Sequence, residues 1–274
     1  MRRRIVRVIA AIVSLSATAA LADLNDDRRV ADEVDRAPLV RVRGGVEVRS
    51  TAGSLTAEQV DDFAALAEKG VRDIARFTGV EPRKQRILIY LSPHVEVSHT
   101  YPRYPGSYRH EPRVFLDSER VPDHSAPYLH ELVHAVVGDG GAMWLEEGFA
   151  SWVASSVATK YGGYYAPVLS GGNDRVDAQA RAAIERSRAA GEARNWFASD
   201  APQFTSPRER RMFYILSHSF TKYLAASLGT SCLISIHREN DIHALARLSG
   251  VSIDEWRRRW MEELGEGGSV AGTR

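Results

Sequence analysis

The sequence predicts an α+β fold, in which a small N-terminal sheet packs against a helix at residues 126–137 and the C-terminal half is mainly helical. Short strand-like apolar runs are confined to residues 39–116, whereas apolar residues at helical spacing dominate the rest. The 274 residues are 44% hydrophobic and 26% charged, as in a soluble globular protein long enough to bury a sizeable core.

The N-terminus has the order of a signal peptide over residues 1–22. Four arginines precede an apolar run from Val8 to Leu21, and that run ends in the A-x-A pattern Ala20-Leu21-Ala22. The alternative is a membrane anchor, but the run is shorter than the roughly 20 residues that a membrane span needs. Cleavage after Ala22 predicts an exported protein, periplasmic or secreted, without stable membrane insertion.

Cleavage also changes the charge balance and excludes some partners. Residues 1–22 hold four Arg and no acidic residue, so the remaining chain has 32 basic and 35 acidic side chains, a net charge of −3. Nucleic acids and anionic membranes are bound by clustered basic faces. The sequence has no such cluster, and we therefore expect no nucleic-acid partner.

The rest of the chain divides into three parts. Residues 23–37 are charged and poor in large apolar side chains, which predicts a flexible lead-in or a short pro-segment. A folded domain over residues 38–264 follows, and the Gly-rich tail over residues 265–274 is expected to be disordered. The predicted strands are Leu39–Val42 and Val46–Val48, which form a hairpin around Gly44-Gly45, then Ile87–Leu91 and Arg113–Leu116.

Capping signals set the predicted helix boundaries. Thr56 and Gln59 form a capping box before an amphipathic stretch, and Ser206-Pro207-Arg208-Glu209 opens another helix that Gly229 closes. The remaining predicted helices are residues 126–137, residues 143–160, residues 176–190 and a last helix that begins after Ser252.

One motif within the predicted helix 126–137 carries metal chemistry. His130-Glu131-Leu132-Val133-His134 is H-E-x-x-H, and residues four apart share one face of a helix, so two imidazoles can reach one metal ion. Glu131 is rotated by about a third of a turn and can reach an attacking water without binding the metal. The alternative is a helix that carries two unrelated histidines.

Together with Trp144–Ala150 (W-L-E-E-G-F-A), this motif resembles the gluzincin zinc metallopeptidases, most closely the small bacterial gluzincin-like domains. The resemblance covers roughly residues 84–264. It implies a gluzincin-like metallopeptidase fold, one Zn²⁺ per chain, hydrolysis of peptide bonds, and a peptide or protein substrate. It also implies that Glu147 completes a ligand set with His130 and His134, that Glu131 is the general base, and that Glu146 is solvated.

The sequence departs from the gluzincin pattern in two places. Only twelve residues separate His134 from Glu147, so the connection between the two helices is short. Ser151 occupies the position at which thermolysin-like enzymes have an Asp that orients a histidine ligand. A serine hydroxyl is a weaker partner for that role.

Gluzincins place a Tyr or a His from a later helix over the reacting carbonyl group, and two residues fit that role here. Tyr214 and His218 are four residues apart and share one face of the predicted helix 207–228. We prefer Tyr214, because a phenol stays a donor across the working pH range. The alternative is that both belong to a core stripe with Phe213, Leu216 and Phe220.

The predicted function is therefore an exported zinc-dependent peptidase. Two alternatives remain: an exported binding or envelope-assembly protein with a structural or inactive zinc site, and an amidase that acts on a non-protein substrate such as cell-wall peptide. The loop Ser98–Pro112 either lines a substrate cleft or is solvated. The other histidines, among them His99 and His237, have no ligand spacing and are expected at the surface or in loops.

Overall fold

A computed structural model describes residues 24–36, 38–51, 53–81, 86–101, 111–138, 141–158, 172–189, 204, 206–239 and 243–266. The predicted signal peptide lies outside these residues, as do residues 102–110 of the predicted loop and residues 267–274 of the predicted tail. The predicted fold class is confirmed: a small sheet at the N-terminal side packs against helices, and the C-terminal half is helical.

The sheet in the described part of the chain has five strands in the order β1-β2-β3-β5-β4. The two outer pairs are antiparallel and the two inner pairs are parallel. The strands are β1 (Pro38–Arg43), β2 (Val46–Thr51), β3 (Ile87–Ser92), β4 (His99–Tyr101) and β5 (Arg113–Asp117). The hairpin and both later strands are therefore confirmed, and β4 lies within the segment predicted to be a loop.

The predicted helices occur in the predicted order, together with a short 3-10 helix at Ser118–Arg120 that was not predicted. Three α-helices were also not predicted: residues 24–36, Thr230–Arg238 and His243–Ser249. The helices are α1 (residues 24–36), α2 (Ala57–Thr78), α3 (Tyr128–Val137), α4 (Met143–Ala158), α5 (Val176–Ala189), α6 (Pro207–Leu228), α7 (Thr230–Arg238), α8 (His243–Ser249) and α9 (Ile253–Glu266). No helix in the described segments is long and apolar enough to cross a membrane.

Strand alternation gives the sheet two apolar faces. Ile89 and Val114 point into the main core with α2, α3 and α4, whereas Tyr90 and Phe115 point to the opposite face. A sheet that is apolar on both faces needs cover on both sides. The second face is covered by α1.

Residues 24–36 form α1 instead of the flexible lead-in that their composition indicated. Val30, Ala31 and Val34 are buried against Tyr90 and Phe115. These three side chains share one face of the helix, and the acidic and basic residues that dominate the segment lie mainly on its outer face. The apolar stripe is too narrow and its residues too small to stand out in the sequence.

Two helix boundaries differ from prediction. The helix predicted from residue 126 begins at Tyr128, because Pro127 is its N-cap and gives no side-chain hydrogen bond. Helix α9 continues through Gly265 to Glu266, two residues that were predicted to belong to the tail. The capping box of Thr56 and Gln59 is confirmed, and Ser206 caps α6 as expected.

Two glycines allow helices to approach α3 and α4 closely. A Cβ atom on Gly70 of α2 would lie 2.9 Å from Cδ2 of Leu129 in α3. A Cβ atom on Gly148 of α4 would lie less than 3.0 Å from Oγ1 of Thr221 and from the backbone oxygen of Ser217, both in α6. The second contact is with backbone, which cannot give way as a side chain can, so glycine is required there.

We predict that Gly148→Ala lowers the free energy of unfolding by about 1–3 kcal/mol, because the added methyl group forces α4 and α6 apart. Thermal unfolding measures this change, at about 2–4 °C per kcal/mol for a domain of this size. Gly265→Ala is the matched control, because Gly265 is also helical and has nothing within 4 Å of its Cβ position. An unchanged melting temperature in Gly148→Ala would contradict the close approach of the two helices.

Candidate metal centre and cleft

The two histidines of the H-E-x-x-H motif lie one above the other on α3. Their exposed fractions are 3% for His130 and 6% for His134, and their Nε2 atoms are 3.3 Å apart. The apolar residues between them, Leu132 and Val133, are buried in the core and fix the rotation of the helix. Both imidazoles therefore point to the same place, as the motif predicts.

Helix α4 brings Glu147 to the same point. Oε2 of Glu147 lies 3.0 Å from Nε2 of His130 and 3.7 Å from Nε2 of His134. The twelve residues between His134 and Glu147 are sufficient, because α3 ends at Val137, its C-cap Gly138 has φ of 94°, and α4 packs directly against α3. The structure thus brings together all three residues that the sequence analysis assigned as ligands.

These three side chains could hold a metal ion. One ligand atom from each lies within 4.8 Å of the other two. Zinc bonds of about 2.0–2.1 Å in tetrahedral geometry separate neighbouring ligand atoms by about 3.3–3.4 Å. The three separations in the protein, 3.0, 3.3 and 3.7 Å, bracket that value. The donor set of two imidazole nitrogens and one carboxylate oxygen therefore fits zinc in spacing and in chemistry.

In each histidine, the ring nitrogen that faces away from the other ligands, Nδ1, has its own polar partner. Nδ1 of His130 is 3.3 Å from Oγ of Ser151, which is fully buried, and Nδ1 of His134 is 3.4 Å from Oε1 of Glu146. Partners of this kind fix the orientation of a metal-binding imidazole. Glu146 is therefore in contact with His134, while its side chain stays 26% exposed.

The carboxylates also set the charge of the metal-free site. Burial alone would lower the pKa of His134, but its contacts with Glu146 and Glu147 outweigh burial and hold that pKa well above its ordinary value. Burial alone would raise the pKa of Glu147, but hydrogen bonds from His130 and His134 hold it well below its ordinary value. A positive imidazole and a negative carboxylate thus compensate each other where burial would otherwise penalise both.

Glu131 faces the same space but is not part of the ligand group. Its side chain is 5% exposed, and its Oε2 accepts a hydrogen bond of 2.9 Å from the hydroxyl of Thr100 in β4. The same hydroxyl lies 3.0 Å from the backbone oxygen of Glu131. The carboxylate of Glu131 is therefore held by the edge strand and not by either histidine.

A cleft with a volume of about 660 Å³ opens over the three ligands and Glu131. Its walls come from β4, α3, α4 and α6 and from the segments beside them. The lining residues beyond the ligands and Glu131 are Glu96, Val97, Ser98, His99, Thr100, Arg120, Pro127, Met143, Glu146, Phe204, Arg210 and Tyr214. The start of the predicted loop Ser98–Pro112 thus lines the cleft, as one of its two interpretations expected.

Tyr214 and His218 occupy different environments although they share a face of α6. The ring of Tyr214 lines the cleft, with its centroid 6.2 Å from that of His130. His218 is fully buried, is not among the lining residues, and donates from Nε2 to Oδ1 of Asn173 at 2.7 Å. Burial, with the charges of Lys222 and His130, lowers the pKa of His218 to about 3. The geometry therefore favours Tyr214 as the donor that faces the cleft.

Sequence reasoning missed three polar residues near the site. Thr100 and His99 line the cleft, and His99 is half-buried in β4 where a surface or loop position was expected. His237 is also buried, with its ring stacked on Phe149 at 4.1 Å between centroids. Thr100 reaches Glu131 across 31 residues of chain, and such a pairing leaves no signal in the sequence of a single protein.

Comparisons with known proteins do not assign the chain to a family. No protein-family model matches the chain, and no curated protein matches it.

We predict that Glu147→Ala loses most of the bound metal, since it removes one of three donors. Glu146→Ala should weaken binding by about 10–100-fold, because it removes only the outer partner of His134. Competition with a chromophoric chelator measures both affinities. Glu96→Ala is the charge-matched control, because Glu96 lines the same cleft without contacting a ligand. Equal affinities for Glu147→Ala and Glu96→Ala would remove Glu147 from the ligand set.

Proposed function

We propose that the chain is an exported zinc-dependent peptidase of the gluzincin type. The observation that carries this proposal is the combination of a three-donor group with a fourth carboxylate, Glu131, which faces the same cleft without joining the group. A structural zinc site is closed by four protein ligands and has no use for such a carboxylate. Three ligands leave an open position, which is the arrangement of catalytic sites.

Zinc is the metal that the donors fit best in this proposal. Two imidazole nitrogens and a carboxylate oxygen are a common set for catalytic zinc, whereas magnesium and calcium prefer oxygen ligands throughout. Zinc, when bound, supplies a Lewis acid that makes water a better nucleophile near neutral pH and polarises a carbonyl group.

Glu131 is the general base in this mechanism. Its carboxylate takes a proton from the attacking water and passes it to the leaving amine. The hydrogen bond from Thr100 leaves the other carboxylate oxygen, Oε1, available for the water. Burial of Glu131 beside the cleft keeps bulk solvent from competing for that oxygen.

Tyr214 is the donor to the developing oxyanion. Burial, together with the charges of Glu147 and Glu131, raises the pKa of Tyr214, so the phenol stays protonated and can donate a hydrogen bond. His218 has its Nε2 proton committed to Asn173 and serves instead to hold the segment before α5 against α6.

Export is the second part of the proposal, and it rests on the order of residues in positions 1–22. The intact mass of protein recovered from the envelope or the medium tests it. A mass that begins at Asp23 supports cleavage after Ala22, whereas a mass that includes residues 1–22 would make the protein membrane-anchored.

Digestion of a peptide library by the purified chain, with and without a chelator, tests the activity. Cleavage that the chelator abolishes and added zinc restores is the expected result. Zinc binding without cleavage of any peptide would favour a binding or envelope-assembly protein. Release of amines from cell-wall peptide alone would favour the amidase alternative.

We predict that Glu131→Gln keeps zinc and the fold but lowers kcat by at least about 10²-fold, because an amide accepts a hydrogen bond but not a proton. Turnover, zinc content and melting temperature are measured on the same preparation. Glu96→Gln, in the same cleft, is the matched control and should retain turnover. Near-normal kcat in Glu131→Gln would remove Glu131 from the role of base.

We predict that Tyr214→Phe lowers kcat by about 10²–10³-fold with little change in KM, because it removes one donor to the transition state. Tyr223→Phe is the control on the same helix, since Tyr223 packs against Trp256 away from the cleft. Equal kcat values for the two variants would place the oxyanion donor elsewhere.

A further inference from the structure

Helix α1 contacts the sheet through a buried acid as well as through its apolar face. Asp27 is 6% exposed, and its Oδ2 accepts a hydrogen bond of 2.9 Å from Nε2 of His99 and one of 2.6 Å from the hydroxyl of Tyr101. These two partners are the first and last residues of β4. One carboxylate oxygen of α1 therefore holds both ends of this strand.

Strand β4 needs such an anchor because the sheet supports it weakly. It is a three-residue strand at the edge of the sheet that the described residues form, and its three residues pair with β5. On the face that carries α1, the ring of His99 stacks on Phe115 with centroids 5.1 Å apart. The hydrogen bonds from His99 and Tyr101 to Asp27 then connect β4 to α1.

The middle residue of β4 points the other way. Successive side chains of a strand alternate between its faces, so Thr100 faces α3 when His99 and Tyr101 face α1. The hydroxyl of Thr100 makes the 2.9 Å hydrogen bond to Oε2 of Glu131. Hydrogen bonds thus connect Asp27 to β4, and β4 to the carboxylate of Glu131.

We propose that Asp27 and Thr100 are positioning residues for the general base: α1 anchors β4, and β4 fixes the carboxylate of Glu131 through Thr100. This inference rests on the proposed function for the role of Glu131. In this proposal α1 supports the position of Glu131, although none of its residues lines the cleft. The competing explanation is that α1 only covers the second apolar face of the sheet.

Kinetic measurements on variants of Thr100 test whether this residue positions the general base. Thr100→Val is isosteric and lacks the hydroxyl, so we expect kcat to fall by about 10–100-fold with KM and zinc content unchanged. Thr100→Ser keeps the hydroxyl and should restore most of kcat. Equal kcat for Thr100→Val and the wild type would overturn the role of Thr100.

A readout independent of activity tests the same bond. Stability is measured for Thr100→Val, for Glu131→Ala and for the double variant in metal-free protein. Non-additive changes in the free energy of unfolding are expected, since each single variant breaks the same hydrogen bond. Additive changes would contradict the contact even if no peptide substrate is found.

Hydrogen exchange tests the part played by α1. Asp27→Ala should speed exchange of the backbone amides in residues 99–101 while those of β3 stay protected. Asp27→Asn keeps an acceptor oxygen and should show a smaller effect. Asp26→Ala is the matched control, because Asp26 is on the same helix, is exposed, and pairs only with Arg29 among the described residues.

The two measurements together distinguish the inference from the proposed function. Faster exchange in β4 combined with a lower kcat in Asp27→Ala supports the inference. Exchange in β4 equal to that of Asp26→Ala would overturn it, whether or not the chain cleaves peptides. If the wild type cleaves nothing while β4 loosens and Thr100 couples to Glu131, the proposed function fails and the anchoring of Glu131 stands.

Discussion

The contact of the Glu147 carboxylate with the imidazoles of His130 and His134 is the interaction on which the rest of the site depends. Glu147 is largely buried beside His130 and His134, and each charged group would be unfavourable there without the others. The two helices that carry these residues must therefore approach closely and in a fixed register. Gly148, next to Glu147, lets the backbone of α4 lie against α6 as well, which brings Tyr214 to the rim of the same cleft.

The opposite wall of the cleft is built from the sheet. The edge strand β4 supplies Thr100, which holds Glu131, and α1 supplies Asp27, which holds β4. The ligand group is thus fixed by packing between helices, whereas the proposed base is fixed by hydrogen bonds that extend through the sheet to α1. Because the two supports are separate, a change in the wall built from the sheet can displace Glu131 without displacing the three ligand residues.

Much of this arrangement could be predicted from the sequence, because local rules govern it. The spacing of His130 and His134 fixes their common face of α3, and capping residues such as Thr56 and Ser206 mark where helices begin. The resemblance to gluzincins added Glu147 and Tyr214. What the sequence did not reveal are contacts between distant segments: the bond from Thr100 to Glu131, the contact of Glu146 with His134, and the docking of α1. These depend on how the elements pack, and α1 in particular has an apolar stripe of only a few small residues.

The most direct test of this account is the crystal structure of zinc-loaded protein, with anomalous diffraction measured at the zinc absorption edge. We expect one strong anomalous peak, about 2.0–2.2 Å from Nε2 of His130, Nε2 of His134 and a carboxylate oxygen of Glu147, with Glu131 outside bonding distance. A peak bound by other residues, or direct coordination by Glu131 in place of Glu147, would contradict it.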